Sequence, residues 1–148
     1  FKHIMLSRDP IVVDRKNPRE DLKIVLEEGA AALARGRSVI VFPQTTRTVT
    51  FDPEQFNTIG IKLAKRAGVP VVPIAVQTDA WGIGAKVKEL GRIDPSKTVR
   101  MTFGAPLEIQ GRGAEEHKQV VEFIQQQLQN WQTSATPKVS GPPVKQTP

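Results

Sequence analysis

The stretch Ser38-Val39-Ile40-Val41-Phe42-Pro43-Gln44-Thr45-Thr46-Arg47-Thr48 joins an apolar run to a polar loop that holds an amide, hydroxyls and a guanidinium but no carboxylate. Five residues that are almost all apolar, with no polar alternation, predict a strand covered on both faces, as central strands of parallel sheets are. Pro43 ends it, because proline cannot donate to a ladder. The same logic applies on either side. Ile11-Val12-Val13, inside Asp9 to Asp14, reads as an earlier buried strand, and Val69 to Val76 as a later one.

Helical patterns lie between these runs. Asn17 can cap a helix whose first turn holds Pro18 and whose Glu20 stands three residues after the cap. Leu22, Val25, Leu26 and Leu33 follow on one face, up to a closing Gly36. Pro53 to Ala67 predicts a second helix through Phe56, Ile59, Leu63 and Ala67, closed by Gly68. Strand, helix, strand, helix, strand at short spacing predicts right-handed crossovers, and so an α/β fold with a mainly parallel central sheet flanked by helices. Val99 to Phe103 reads as a further strand, and Glu115 to Trp131 as a last amphipathic helix carrying Val120, Val121, Ile124, Leu128 and Trp131. Residues 1–131 form one domain in this reading. Residues 132–148, rich in Pro, Ser, Thr and Lys, form a disordered tail with almost nothing to bury.

Composition narrows the function. The 148 residues contain no cysteine and only two histidines, which excludes thiolate metal sites and cysteine nucleophiles. No run approaches the roughly 18 to 20 apolar residues of a membrane-spanning helix. A net charge of +6 favours anionic partners. Nucleic acid is disfavoured among these, because aromatics are 5% of the chain and do not interleave with the basic residues.

In an open parallel sheet, ligands bind beyond the carboxyl ends of the strands, which directs attention to the loop at Gln44 to Thr48. Arginine's planar fork can hold two phosphate oxygens, and hydroxyls and main-chain amides can take the third. Phosphate is therefore the natural guest of Gln44, Thr45, Thr46 and Arg47. The bland alternative is a threonine-rich surface loop in which Arg47 pairs with Asp52 or Glu54. Arg15, at the end of the preceding strand, could converge on the same crevice; an exposed basic residue beside a helix start is its plainer reading.

Phe42-Pro43-Gln44-Thr45-Thr46-Arg47-Thr48 resembles the Phe-Pro-Glu-Gly-Thr-Arg-Ser signature of glycerolipid acyltransferases of the lysophosphatidate type. Val12-Val13-Asp14-Arg15 resembles that family's second motif, and Val69-Pro70-Val71-Val72-Pro73-Ile74-Ala75-Val76 its fourth, in the right order and spacing. The resemblance covers roughly Asp9 to Val76. It implies that Arg15 and Arg47 grip the acceptor's phosphate, that Gln44, Thr45 and Thr46 line the loop, and that Pro73 is a packing proline. It further implies acyl-CoA or acyl-carrier protein as donor, a lysophospholipid or glycerol-phosphate acceptor, no metal or other cofactor, and work at the cytoplasmic face of a membrane.

Two departures stand in the signature. Gln44 replaces glutamate, which removes a charge and leaves the pocket more positive. Thr45 replaces glycine, putting a β-branched residue where glycine tolerates positive φ and so implying a differently shaped turn. The family's catalytic histidine, followed after four residues by an aspartate, precedes the second motif. His3 and Asp9 are one residue too far apart and stand too close to Arg15, and His117 lies on the last helix between Glu116 and Lys118. The chain starts at Phe1 and enters strand-like sequence almost at once, so the catalytic pair is expected upstream and the fold is expected to be incomplete at its N-terminus.

A non-catalytic phosphate or lipid-headgroup binding domain of the same fold is the rival reading. A nucleotide-binding module lacks its Gly-x-x-x-x-Gly-Lys loop or Gly-x-Gly-x-x-Gly turn here, and a serine hydrolase its Gly-x-Ser-x-Gly elbow.

Overall fold

The computed structural model describes residues 10–13, 16–44, 50–82 and 91–134. Helix α1 spans Pro18–Ala34, α2 Ile59–Ala67 and α3 Ala114–Ser134; strands β1 (Ile74–Gln77) and β2 (Arg100–Phe103) form a two-stranded sheet.

Local chemistry sets the helix ends where the sequence predicts them. The Asn17 side chain accepts from the main-chain N–H groups of Arg19 and Glu20, at 3.2 and 3.4 Å, and Pro18 opens the first turn. Beyond α1, Gly36 takes φ of 76°, a left-handed conformation that costs glycine little. Gly68 closes α2 in the same way, with φ of 65°. The predicted Pro53 to Ala67 helix, however, is two pieces. A 3-10 turn at Pro53–Gln55 is capped by Asp52, and α2 begins only at Ile59. Asn57 separates them, since its side-chain oxygen accepts the Ile59 N–H at 3.0 Å and takes that donor out of a continuous helix.

The expected mainly parallel sheet is not what the described residues form. Their one ladder is antiparallel, pairing Ile74 with Phe103, Ala75 with Thr102, Val76 with Met101 and Gln77 with Arg100. An antiparallel pair needs no crossover helix, and none separates β1 from β2 among the described residues. Pro70 and Pro73 shorten the predicted Val69 to Val76 strand from its N-terminal end, leaving Val71 in an isolated antiparallel bridge with Leu107. Ser38 to Phe42 and residues 11–13 carry no ladder. Their burial differs from prediction too, with Ile40 70% and Phe42 81% exposed.

The core lies between the sheet and α3. Ala75 is fully buried, and Ile61, Val120 and Ile124 join it, with Phe51, Phe56, Val71, Leu107, Ile109, Phe123, Leu128 and Trp131 packed around. Helix α1 packs on α2, closely enough that a Cβ on Gly29 would stand 2.8 Å from the Leu63 methyl carbons. Helix α3 continues three residues past Trp131, to Ser134, so the first three residues of the predicted disordered tail are helical instead, closing the last turn of α3. Residues 135–148 lie outside the described residues.

Candidate functional site

Of the sequence-predicted site, Arg15, Thr45, Thr46 and Arg47 lie outside the described residues, and Gln44 is described. Gln44 is half-buried, at a bend that follows Pro43. The structure therefore shows the base of the loop, and that base is firmly held. Val41 sits over α2, near enough that a Cβ on Gly60 would touch its Cβ at 3.9 Å. The Pro43 carbonyl accepts from the Asn57 main-chain N–H at 3.4 Å and also from the Asn57 side-chain amide.

The far side of the loop is anchored as well. Asp52 uses both carboxylate oxygens within its own turn, accepting the Glu54 N–H at 3.0 Å and the Gln55 amide at 2.8 Å. Phe51 and Phe56 meet edge to face at 5.6 Å. The next contact reaches α3, where His117 Nε2 donates to the Phe56 carbonyl at 3.1 Å while its ring lies 5.8 Å from that of Phe56. A carbonyl only accepts, so Nε2 carries a hydrogen in this bond. His117 is thus a structural tie between α3 and the turn after the loop.

Asn57 is the residue that sequence reasoning missed. It falls inside the run read as one continuous helix, and a helical period gives no reason to single it out. The available signal was local: asparagine two residues before an apolar helical run is a common start motif.

No carboxylate occupies Phe42 to Gln44, and no cluster of histidine, aspartate and glutamate capable of holding a metal occurs among the described residues. A separate cavity of about 270 Å³ lies between residues 10–11 and the C-terminal half of α1. Pro10, Ile11, Glu28, Ala32, Arg35 and Arg37 are among its lining residues, so it adjoins the segment leading to Arg15 rather than the loop base. Among the described residues no helix is long and apolar enough to cross a membrane.

Comparison with known proteins bears on the same stretch. A 1-acyl-sn-glycerol-3-phosphate acyltransferase of Pseudomonas aeruginosa is 28% identical over 138 residues, covering 93% of this chain and 49% of its own length. A probable 1-acyl-sn-glycerol-3-phosphate acyltransferase of Mycoplasma pneumoniae is 33% identical over 73 residues, covering 49% of this chain and 27% of its own length. The chain spans about half the length of the first of these relatives and less of the second. No solved structure matches it. The Acyltransferase family matches residues 1–77, a span that takes in the Arg15 motif, the Gln44 to Thr48 loop and the strand β1, and with just over half of its 148 residues so matched the chain belongs to that family.

Proposed function

We propose that this chain supplies the acceptor-holding part of an enzyme that transfers an acyl group from acyl-CoA or acyl-carrier protein to a hydroxyl of a lysophospholipid or glycerol-phosphate acceptor. The observation that carries this reading is the family match over residues 1–77, which contains both Arg15 and the Gln44 to Thr48 loop. The named activity of the Pseudomonas aeruginosa relative, aligned over nearly the whole chain, supports the acceptor class.

In this mechanism Arg15 and Arg47 hold the acceptor's phosphate, with Gln44, Thr45 and Thr46 completing the loop. Holding the phosphate fixes the acceptor hydroxyl relative to the base, so that binding energy becomes orientation. A histidine with an aspartate, located upstream of these residues, takes the hydroxyl proton. The resulting oxygen nucleophile attacks the thioester carbonyl, and the thiol of the carrier leaves. The anchored base of the loop matters here, because an arginine can position a phosphate only as well as its own backbone is positioned. On this proposal the enzyme works at the cytoplasmic face of a membrane, where its substrates are, and the 148 residues alone are inactive because the base lies outside them.

A second reading rests on the signature itself. Gln44 and Thr45 stand where the resemblance has glutamate and glycine, as a binding domain without acyl transfer would permit.

The deciding experiment assays protein from the complete reading frame for acyl transfer to lysophosphatidate, with and without Arg47→Ala. Transfer whose acceptor KM rises about tenfold or more in the variant supports the enzyme reading, since a lost hydrogen bond to a charged group costs about 1.5 to 3 kcal/mol. Phosphate-dependent binding without transfer supports the second reading. An unchanged KM removes Arg47 from the site.

A further inference from the structure

The sheet has one covered face and one open face. Side chains alternate along a strand, so Ala75 and Thr102 point one way while Ile74, Val76, Met101 and Phe103 point the other. The Ala75 face is closed by α3. On the opposite face Val76 is 36%, Met101 57% and Phe103 62% exposed, and Val72, one alternation earlier, is 42% exposed. Antiparallel sheets with one solvated face carry polar residues on it. Here the open face is apolar at every one of these positions.

Two further observations point the same way. Ser38 to Phe42 alternates as a strand does, with Val39 and Val41 less exposed than Ile40 and Phe42, yet it has no ladder partner among the described residues. Among the described residues no large side chain reaches complete burial. A two-stranded ribbon is at best marginally stable by itself, and a further layer is what such ribbons need.

We propose that the face made by Val72, Ile74, Val76, Met101 and Phe103 is an interior packing surface, covered in the complete acyltransferase by the part of that enzyme lying outside these 148 residues. The inference rests on the reading that this chain belongs to a longer enzyme. The Pseudomonas aeruginosa relative aligns with 93% of this chain using only 49% of its own length, so it has a comparable length of chain to supply the cover. The face does not suit an anionic lipid surface, because among the described residues no lysine or arginine of the ladder lies on it. The nearest arginine in the ladder, Arg100, alternates to the other side and donates to Gln77 Oε1 at 3.0 Å.

The chain has no cysteine, which makes the face easy to probe. In protein expressed from the complete reading frame, with any cysteines outside these residues replaced by serine, Phe103→Cys is treated with a maleimide before and after urea denaturation. The proposal expects labelling in the native protein to be slowed about a hundredfold or more relative to the denatured protein, at every protein concentration. It also expects Phe103→Lys to lower Tm by about 5 °C or more. Native labelling as fast as denatured labelling overturns it. So does protection that disappears on dilution to monomer, which would make a second copy the cover, or protection that appears only with phosphatidylglycerol vesicles, which would make the cover a lipid surface. A complete reading frame that adds no further chain overturns it too. Catalytic assays on the same protein separate the two ideas: protection without acyl transfer retires the enzyme reading alone, and transfer by a Phe103→Cys protein whose introduced thiol is unprotected retires this one alone.

Discussion

Asn57 holds Pro43 by two hydrogen bonds to one carbonyl oxygen, one from its main chain and one from its side chain, while its own side-chain oxygen receives the Ile59 N–H. A single residue thus joins the end of the Ser38 to Phe42 run, the base of the Gln44 to Thr48 loop and the first turn of α2. Asn57→Ala removes the side-chain donor and the acceptor for Ile59 together. The expected cost is about 1 to 3 kcal/mol of stability, as for part-buried groups that lose their partners. Because Asn57 positions the loop without belonging to it, the variant should raise acceptor KM more than it lowers kcat. Urea unfolding and steady-state kinetics on the complete enzyme check both parts, and a variant that loses stability with unchanged KM would confine Asn57 to the fold.

Glu116 is the buried carboxylate of the described core, 6% exposed. Its Oε1 accepts the Gln110 N–H at 2.9 Å, and its Oε2 is buried without a hydrogen-bond partner among the described residues. The position explains why a carboxylate is tolerated there. It lies in the first turn of α3, where the helix dipole favours negative charge, and it ties the Gln110 turn to that helix. Glu116→Ala should destabilise by about 1 to 3 kcal/mol, because the part-buried Gln110 donor loses its acceptor. Glu116→Gln keeps an acceptor oxygen of the same length and should cost clearly less. Equal losses for the two variants in urea midpoint would show that the Gln110 bond is not what Glu116 contributes.

Much of this arrangement was legible in the sequence, and the exceptions have a common cause. Asn17, Gly36 and Gly68 end helices through their own conformational chemistry, which needs no distant partner, and the structure uses all three as the sequence predicts. The apolarity of Ile40 and Phe42 predicts burial, but burial depends on what packs against them, and among the described residues nothing does so fully. The same holds for the parallel sheet, since β-sheet pairing joins segments distant in sequence while a helix is closed within itself. Asn57 escaped notice because its importance comes from a long-range bond to Pro43. As to the loop, Gln44 marks the limit of what the structure describes, and the roles of Arg15, Thr45, Thr46 and Arg47 rest on motif and chemistry.

Asp94 carries the pH-sensitive turn of the β1 to β2 connection. The Ser96 hydroxyl donates to its Oδ1 at 2.6 Å and the Ser96 N–H at 3.0 Å, and these bonds outweigh the opposing effect of burial and, with the lesser help of the Lys97 charge, hold its carboxyl below the 3.8 of an ordinary aspartate. A lowered pKa means that the folded turn prefers the ionised form. The turn is therefore supported above the unfolded value and loses that support as pH falls below 3.8 through the folded value. An NMR titration should place Asp94's midpoint below 3.8. Ser96→Ala should raise that midpoint, since the hydroxyl is the larger of the causes, and an unmoved midpoint would show that the main-chain bond alone is responsible.

Gly104 is required by Pro73 rather than by its own backbone. Pro73 is buried at the start of β1, its carbonyl accepts the Gly104 N–H at 2.8 Å, and the glycine lies against its ring. A Cβ on Gly104 would stand 2.7 Å from Pro73 Cγ and 3.1 Å from the Phe123 ring of α3. Neither neighbour can easily give way, since the proline ring is fixed to its backbone and Phe123 packs against the Ala75 core. Gly104→Ala should therefore push β2 away from either Pro73 or α3, at about 1 to 3 kcal/mol, the usual cost of overpacking. The direction of relief can be read by removing one obstacle at a time. Phe123→Leu replaces a flat ring with a smaller, more adaptable side chain, so in the Gly104→Ala background it should recover part of the loss although it destabilises by itself. If instead the two losses simply add, Phe123 is not the obstacle, and the strain falls on Pro73, the residue that the fourth-motif resemblance marks as a packing proline.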